Sequence, residues 1–321
     1  MIQATSLAKR FGEVQAVAGV DFAVNQGELF GFLGPNGAGK TTTINLLTGL
    51  ARPDAGSIRI GGIDCSRNPK AAQHLMGIVP DESNLYPELS GFDNLVFCGA
   101  LYGMPRPERE TRARELLERF GLAEAAHRKF GGYSKGMKRK LTIAAGIIHS
   151  PAVLFLDEPT TGIDVASARQ IRQLVAGLNQ AGTTIFLTTH YIEEAERLCQ
   201  RIAFIVKGRI VRTDTIQDLM RQTDGRHVVQ VAVSKEAARL GDAISASLPE
   251  LRVQAVSDTA LRVESASPVR IGPLVRTIED QGVEVTEARL VRPSLEEIFV
   301  EITGIEAGAM KQEKEKKGGA A

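Results

Sequence analysis

The sequence predicts an α/β fold: a mostly parallel sheet with an antiparallel β flap and a helical insertion, followed by a small α+β ferredoxin-like domain. Short apolar runs alternate with amphipathic helical segments over about the first 220 residues, the pattern of a parallel sheet. A glycine-rich loop lies between a buried strand and a helix in this part. After about Gly225 the pattern changes to a βαββαβ order, which indicates a second domain. We therefore expect domains at residues 1–222 and 226–304, and a polar, disordered tail at 305–321.

The strands of the first domain are predicted from three apolar runs, Leu29–Leu33, Val153–Leu156 and Thr184–Leu187. Uninterrupted apolar runs are typical of parallel strands that helices cover on both faces. Between the second and third runs, the apolar residues spaced as on one face of a helix are Ile171, Leu174, Val175 and Leu178. The order strand, helix, strand predicts that these strands belong to one parallel sheet.

Two segments depart from this alternation. Val20, Phe22 and Val24 lie at every second position ahead of a turn at Asn25–Gly27, which predicts an antiparallel flap. Residues 87–150 have helical spacing and no strong strand pattern, so we expect a helical insertion there.

The second domain is predicted to contain the strands Val228–Val233, Leu251–Val256, Leu261–Val263 and Val283–Leu290. Its helices are predicted from two sets of helically spaced apolar residues, Ala237, Leu240 and Ile244, then Ile271, Leu274, Val275 and Ile278. A short helix at Leu295–Thr303 follows. The sequence offers no catalytic constellation here, so a regulatory or dimer-supporting role is expected.

Composition narrows the classes of protein to consider. The 321 residues are 43% hydrophobic and 24% charged, as in ordinary globular proteins. A formal net charge of +1 gives no strong field that would recruit nucleic acid or anionic lipid, and we expect no nucleic-acid partner. Cys65, Cys98 and Cys199 are scattered, which argues against a disulfide framework or a zinc site and indicates a reducing compartment. Because the start is unlike a signal peptide and no run of about 18 apolar residues occurs, we do not expect the chain to span a membrane alone.

The glycine-rich loop carries the clearest chemical signal. Its residues match the P-loop pattern GxxxxGK[ST], and Thr42 follows them: Gly34, Pro35, Asn36, Gly37, Ala38, Gly39, Lys40 and Thr41. Glycines let backbone N–H groups turn toward phosphate oxygens, and the following helix directs its positive end at them. Lys40 would add a charge on the outer phosphates, and Thr41 would offer its hydroxyl to Mg²⁺. Since a strand and a helix flank the motif, a chance glycine-rich turn is a weak alternative, and a P-loop NTPase fold with a RecA-like sheet is predicted.

An acidic pair, Asp157 and Glu158, ends the predicted strand that begins at Val153. Ligands bind at the carboxyl edge of open parallel sheets, so both carboxylates would lie beside the P-loop. Asp157 would hold Mg²⁺ through water, and Glu158 would act as the general base that polarises the attacking water. An ordinary pair of strand-end acids is the alternative, acceptable for either acid alone but less so for both beside a P-loop.

Five segments, taken in order, resemble the motifs of the ATP-binding cassette of the ABC family. They look like its Walker A, signature, Walker B, D-loop and switch histidine: Gly34–Thr41, Tyr133–Met137, Leu154–Glu158, Thr161–Asp164 and His190. The resemblance covers about residues 1–220. It implies an ATPase that uses ATP and Mg²⁺.

The resemblance implies roles for residues outside the P-loop. Ser134 and Gly136 would touch the γ-phosphate of a nucleotide held by a second copy, and Asp164 would join the nucleotide site through the D-loop. His190 would contact the γ-phosphate and orient the attacking water. On its own, the signature segment could be a solvated lysine-rich helix start, and only the surrounding motifs distinguish His190 from an ordinary strand-end histidine. Phe11 resembles the aromatic residue that stacks on adenine, and a core phenylalanine of the flap is nearly as good an interpretation.

Two residues depart from the family pattern. Lys135 replaces the first glycine of the usual signature, and this variant looks like that of exporter cassettes with separate permeases. Asp81 stands where the family normally has a glutamine that senses Mg²⁺ and the attacking water. Because aspartate is shorter and charged, we expect Asp81 to reach Mg²⁺, directly or through water, and to retune coupling without abolishing hydrolysis.

The implied function is that of a transport motor, an ATP-hydrolysing subunit that moves substrate through a separate integral-membrane permease. Two cassettes, expected to be identical copies, would sandwich two ATP molecules. The chain would then lie on the inner, cytoplasmic face of the cell membrane, attached through its permease. The ending Pro293–Gly304 resembles the accessory domain of drug and lipid exporters, which favours export.

Two other functions compete with transport. A soluble ABC ATPase acting on the ribosome or nucleic acid usually joins two cassettes or carries long coiled-coil insertions, whereas this sequence has one P-loop, one signature and no heptad run. A P-loop kinase or GTPase leaves the signature and His190 unexplained. Transport is therefore the leading hypothesis, although the substrate would be chosen by the permease.

Overall fold

The computed structural model describes residues 1–221, 227–291 and 294–305. Within the described ranges two compact units are present, one formed by residues 1–216 and 302–305, the other by the described residues between 217 and 301. The predicted tail at 305–321 lies, apart from Ile305, outside the described residues. Among the helices that the structure describes, none is both long and apolar enough to cross a membrane.

The first unit alternates strands and helices. Its strands are β1 (Ile2–Phe11), β2 (Val14–Val24), β3 (Leu29–Leu33), β4 (Ala55–Ile60), β5 (Ile63–Asp64), β6 (Met76–Val79), β7 (Val153–Asp157), β8 (Thr184–Thr189), β9 (Arg201–Val206) and β10 (Arg209–Thr215). Its helices are α1 (Lys40–Leu47), α2 (Pro69–His74), α3 (Gly91–Leu101), α4 (Arg106–Arg119), α5 (Lys135–Gly146), α6 (Val165–Gln180) and α7 (Ile192–Leu198).

The central sheet has the strand order β10-β9-β3-β8-β7-β6. All neighbours pair in parallel except β10, which runs antiparallel to β9 at one edge. Every residue of β3, β7 and β8 is buried, which explains why these strands read as uninterrupted apolar runs. The carboxyl ends of these three neighbours meet at one edge of the sheet, where the P-loop, the acidic pair and His190 follow them.

A second sheet, of order β2-β1-β4-β5, is antiparallel throughout and is the predicted flap. Its inward residues share one core with the central sheet. An aromatic cluster joins the two sheets: Phe22 of β2 lies 5.7 Å from Phe32 and 5.7 Å from Phe186, ring centroid to ring centroid. The flap is thereby held against the strand that leads into the P-loop.

The predicted insertion at 87–150 contains α3, α4 and α5. Buried Asn94 on α3 organises the loop before it, since its Oδ1 accepts a bond from the N–H of Tyr86 and its Nδ2 donates to the carbonyl of the same residue. Ser90 caps α3 by accepting a bond from the Asp93 N–H. Side-chain and backbone bonds together fix the segment that connects β6 to this helical region.

Helix α8 (Ile216–Arg221) lies at the boundary of the second unit. The elements that follow are β11 (His227–Val233), α9 (Ala237–Ser247), β12 (Arg252–Ser257), β13 (Ala260–Ser265), α10 (Ile271–Glu279), β14 (Val285–Val291) and α11 (Leu295–Thr303). The strand order is β12-β13-β11-β14 with antiparallel pairing throughout. This is the ferredoxin-like order expected from the βαββαβ sequence pattern.

Candidate active site

The P-loop requires glycine at its turning points. Gly37 and Gly39 have φ angles of +76° and +102°, which residues with a side chain rarely adopt. A Cβ at Gly39 would lie 2.3 Å from the carbonyl oxygen of Ala16, and one at Gly34 would lie 2.2 Å from that of Ile205. The loop therefore packs tightly against its surroundings, and its backbone conformation depends on these residues.

Lys40, the first residue of α1, is buried and folds back over the loop. Its Nζ donates to the carbonyl oxygens of Gly34 at 2.8 Å and Pro35 at 3.1 Å. The same Nζ lies 3.2 Å from Oε1 of Glu158. The loop cation and the predicted general base are therefore in direct contact.

Asp157 ends β7 and is 3% exposed. The Thr188 hydroxyl donates a hydrogen bond to its Oδ1, and the Thr41 hydroxyl lies close enough to the carboxylate to lower its pKa. Burial raises the pKa of Asp157, the two hydroxyls oppose that shift, and the charges of Glu158 and Asp81 add to it. Two of the three side chains predicted to contact Mg²⁺, Thr41 and Asp157, are thus brought together, and the charge of the third, Asp81, acts on Asp157.

Glu158 lies at the centre of the site. Its backbone has φ +47°, an unusual value for a residue with a side chain. Its Oε2 accepts a hydrogen bond from the Thr161 hydroxyl at 3.1 Å and lies 3.1 Å from Nδ1 of His190. The carboxylate therefore lies between Lys40 and His190. This placement fits the predicted roles of Glu158 as general base and of His190 as the histidine that orients the attacking water.

Two buried nitrogen atoms of the site have no hydrogen-bond partner within the described chain, Nδ2 of Asn36 and Nδ1 of His190. His190 Nδ1 is close to Glu158, but its geometry is not that of a hydrogen bond. Buried polar atoms are normally paired, so these two atoms favour a polar ligand at this edge. Together with Lys40 and the loop N–H groups they fit a nucleoside triphosphate.

Residues suited to a metal ion are few. No group of three or more His, Cys, Asp or Glu side chains with metal-site geometry occurs in the described ranges. Mg²⁺ commonly takes one or two protein oxygens and completes its coordination with phosphate and water. Thr41 and Asp157 fit that pattern as an oxygen-donor pair beside the P-loop.

Asp81 follows β6 at the same edge of the sheet. Its negative charge contributes to raising the pKa of Asp157, so its carboxylate lies close enough to influence the acidic pair. Its carbonyl oxygen accepts a hydrogen bond from Arg139 at 3.1 Å. The structure thus places Asp81 with the predicted catalytic residues.

The predicted signature and D-loop residues form a group of their own. Ser134 is the N-cap of α5 and accepts a bond from the Met137 N–H at 3.3 Å. Asp164 is the N-cap of α6 and accepts a bond from the Ser167 N–H at 2.9 Å, and such bonds lower its pKa. A Cβ at Gly136 would lie 2.5 Å from the Ser167 hydroxyl and 3.9 Å from Asp164. The two helix starts therefore pack together, with Ser134 and Asp164 exposed.

Phe11 ends β1 and is 53% exposed. Its ring lies 5.3 Å from Nζ of Lys9, a cation–π contact. The interpretation of Phe11 as a core residue of the flap is therefore wrong. Stacking on adenine stays a prediction.

Sequence reasoning missed three buried polar residues of the site, Arg139, Thr188 and Glu194. Arg139 follows the predicted signature and was not singled out, yet it lies on the buried face of α5. The signal was present, since Gly136, Arg139, Ile143 and Gly146 follow helical spacing. Thr188 and Glu194 carry no comparable signal, because strand-end threonines and helical glutamates are common.

Known proteins resemble this chain over most of its length. The sequence profile of the ABC transporter family matches residues 17–161. The linearmycin resistance ATP-binding protein LnrL of Bacillus subtilis is 37% identical, over 95% of this chain and 98% of the relative. The daunorubicin resistance ATP-binding protein DrrA2 of Streptomyces coeruleorubidus is 39% identical, over 94% and 95%. The Nod factor export ATP-binding protein I of Burkholderia lata is 36% identical, over 94% and 96%.

Solved structures match about two thirds of the chain. An ATP-binding subunit of an ABC transporter superposes with a TM-score of 0.64 at 29% identity, covering 70% of this chain and 93% of that one. A dimeric ATP-binding cassette in a post-hydrolysis state, bound to ADP and Pi, superposes with a TM-score of 0.62 at 27% identity, covering 67% and 99%. These similarities confirm the predicted P-loop NTPase fold.

Proposed function

The chain belongs to the ABC transporter family as one of its ATP-binding, ATP-hydrolysing subunits, and we propose that it powers export through a separate integral-membrane permease. The contact of Lys40, Glu158 and His190 above the P-loop carries the catalytic part of the proposal. Export is supported by relatives that match nearly the whole chain and are named resistance or export ATP-binding proteins.

Hydrolysis in this proposal depends on three side chains. Lys40 neutralises charge on the outer phosphates, because its buried ammonium group lies at the P-loop carbonyls. Glu158 accepts the proton of the attacking water, and its carboxylate is placed for that role by Lys40 and Thr161. His190, on the other side of the same carboxylate, orients the water and contacts the γ-phosphate.

Thr41 and Asp157 are the residues that would hold Mg²⁺. When bound, the ion would neutralise charge on the β- and γ-phosphate oxygens. Thr188 keeps the Asp157 carboxylate oriented by donating to its Oδ1. Asp157 must be ionised for this task, so its raised pKa means that affinity for the ion falls as the pH drops through that pKa.

Two copies of the chain complete the site in this proposal. Ser134 is exposed at the start of α5, where a helix N-terminus and the small residues Ser134 and Gly136 favour an anion. Asp164 is exposed at the neighbouring start of α6 and would join the same site through the D-loop. The nucleotide of the partner copy supplies that anion. A dimeric cassette among the solved structures that this chain resembles supports the arrangement.

The permease is proposed to contact the apolar face of α3, defined here as Phe97 and Leu101 of that helix together with Tyr86 of the segment before it. These side chains are 50%, 38% and 69% exposed, and the rings of Tyr86 and Phe97 meet edge to face at 5.2 Å. Exposed apolar groups of this kind mark interaction sites. A cassette that binds its permease through this face would lie on the inner face of the cell membrane.

Substitution of Glu158, the proposed general base, tests the proposal. Replacing Glu158 by Gln keeps the volume of the side chain but removes the proton acceptor, so kcat for ATP hydrolysis should fall by about 10²–10⁴-fold. Binding of Mg-ATP, measured with a fluorescent analogue, should persist because Lys40 and the P-loop are unchanged. Glu193→Gln is the matched control, since its side chain is 75% exposed on α7. Normal hydrolysis by Glu158→Gln protein would remove Glu158 from the role of base.

A further inference from the structure

Arg139 makes an unusual set of contacts on the buried face of α5, where it is 6% exposed. Its Nε donates to the carbonyl oxygen of Pro159 at 2.8 Å, and its Nη2 donates to those of Asp157 at 2.7 Å and Glu158 at 2.6 Å. Its Nη1 donates to the carbonyl oxygens of Pro80 and Asp81. All five N–H donors of the guanidinium group are thereby used.

These carbonyl groups belong to two segments that leave the catalytic edge of the sheet. Residues 157–159 begin at the last residue of β7 and contain the proposed base, and residues 80–81 follow β6. The donor comes from a third element, α5, whose first turn carries Ser134 and Gly136. One side chain therefore joins the signature helix, the Asp81 segment and the acidic pair.

The backbone of Glu158 requires such support. A left-handed φ of +47° is unfavourable for a residue with a side chain and persists where the surroundings impose it. The Glu158 N–H donates to the carbonyl oxygen of Thr188 at 3.0 Å, and the Glu158 carbonyl accepts from Arg139. The peptide groups on both sides of the catalytic residue are thus fixed by hydrogen bonds.

We propose that Arg139 is a positioning residue for ATP hydrolysis, which holds Glu158 in its left-handed conformation and transmits displacements of α5 to it. The proposal rests on the proposed role of Glu158 as general base. Arg139 does not reach the Glu158 carboxylate through any of its five donated bonds, since all of them end on backbone oxygens. It acts by fixing the peptide groups that aim that carboxylate toward Lys40 and His190.

Lysine cannot replace Arg139 in this role. An ammonium group keeps the charge but has three donors on one atom, whereas the planar guanidinium group spreads five donors over two loops. Arg139→Lys therefore preserves a buried cation and loosens the geometry. Arg139→Gln, which introduces no unpaired charge, is the second variant and serves if the lysine protein does not fold.

The test compares each Arg139 variant in wild-type and Glu158→Gln backgrounds. In the wild-type background kcat should fall by about 10²-fold, the effect of displacing a reacting group by about 1 Å. The dissociation constant for the Mg-ATP analogue should change by less than about 2-fold, since the contacts of Lys40 are intact. In the Glu158→Gln background the residual rate should change by less than about 2-fold, because no base is left to misplace.

Arg109→Lys is the matched control. Arg109 lies on α4, is half-buried and donates to the carbonyl oxygen of Met104 at 3.2 Å, so its loss tests the removal of an arginine–carbonyl bond elsewhere in the helical region. Its kcat should equal that of the wild type. Equal losses from the Arg139 change in both backgrounds, or an unchanged kcat in the wild-type background, would overturn the Arg139 proposal alone. Normal hydrolysis by Glu158→Gln protein would instead overturn the base assignment and, with it, the route proposed for Arg139.

Discussion

Negative charge is concentrated at the catalytic edge, where Asp81, Asp157 and Glu158 lie together. Burial is the largest cause of the raised pKa of Asp157, and the charges of Glu158 and Asp81 raise it further. The resemblance to ABC cassettes implies an uncharged glutamine at the position of Asp81, so this chain is expected to carry one additional carboxylate there. That carboxylate attracts a metal cation and also makes ionisation of Asp157 harder.

Asp81→Gln separates these two effects. Hydrolysis should persist, and the Mg²⁺ concentration for half-maximal activity should rise by about 2–10-fold, because an attractive charge at a distance of several ångströms is lost. The acid limb of the pH profile should move to lower pH, since removing a negative neighbour lowers the folded-state pKa of Asp157 and keeps it ionised further into acid. Both are measured as steady-state ATPase rates against Mg²⁺ and pH.

Glu82→Gln provides the comparison for Asp81→Gln. Glu82 is the neighbouring acid and is exposed, and it is not among the groups that shift the pKa of Asp157. Its variant should follow the wild-type Mg²⁺ and pH curves. If Asp81→Gln follows them as well, Asp81 neither attracts the ion nor perturbs Asp157.

The catalytic residues were predictable to the extent that they belong to short motifs. Lys40, Asp157 and Glu158 are identified by residue type and spacing, because P-loop chemistry restricts both. Arg139 was not identified, since its role depends on carbonyl groups brought in by residues 80–81 and 157–159. Every residue has a backbone carbonyl group, so the sequence does not show which of these groups accept a hydrogen bond from a distant side chain.

At the scale of elements, prediction succeeded where burial is complete. The runs at β3, β7 and β8 were located because every position is apolar or small and buried. Strand β6 was not predicted, because it is only four residues long and contains Gly77, a residue that disfavours strands. The glycine is needed because a Cβ there would lie 2.1 Å from the carbonyl oxygen of Gly146 on α5. That requirement comes from tertiary packing and cannot be read from the local sequence.

The apolar face of α3 makes a prediction at the same scale. Leu101→Asp should leave the ATPase rate of the purified chain unchanged, because Leu101 is 69% exposed at the end of α3. In cells, the affinity of the variant for the permease should fall by about tenfold or more, and its membrane-bound fraction should fall with it, since burying a leucine contributes about 1.5–3 kcal/mol to an interface. The measurement is fractionation of cells that contain the matching permease.

Leu50→Asp is the control for this face, as Leu50 is 67% exposed but follows α1 rather than α3. It should fractionate like the wild type. Wild-type membrane binding by Leu101→Asp protein would show that the permease does not use the face of Tyr86, Phe97 and Leu101.

At the scale of the whole molecule, half of the predicted site faces outward. Lys40, Glu158 and His190 meet in one place, whereas Ser134 and Asp164 are exposed at the starts of two other helices. A symmetric pair of copies in which each supplies one half would use both surfaces. ATP would then favour the closed pair by binding it more tightly than the open form, and hydrolysis would remove that preference.

Mixing two inactive variants tests this arrangement. Lys40→Ala removes the P-loop cation, and Ser134→Asp keeps an N-cap residue for α5 while placing a negative charge where phosphate would bind. Each variant alone should hydrolyse ATP very slowly, because both nucleotide sites of its homodimer contain the substituted residue. In an equimolar mixture about half of the dimers are mixed, and each mixed dimer has one intact site, so about a quarter of the wild-type rate should return if the two sites act independently. Mixing Lys40→Ala with Thr41→Ala should restore nothing, since every site then contains a damaged P-loop. Equal rates from the two mixtures would mean that each chain acts on its own nucleotide without help from the signature helix of a partner.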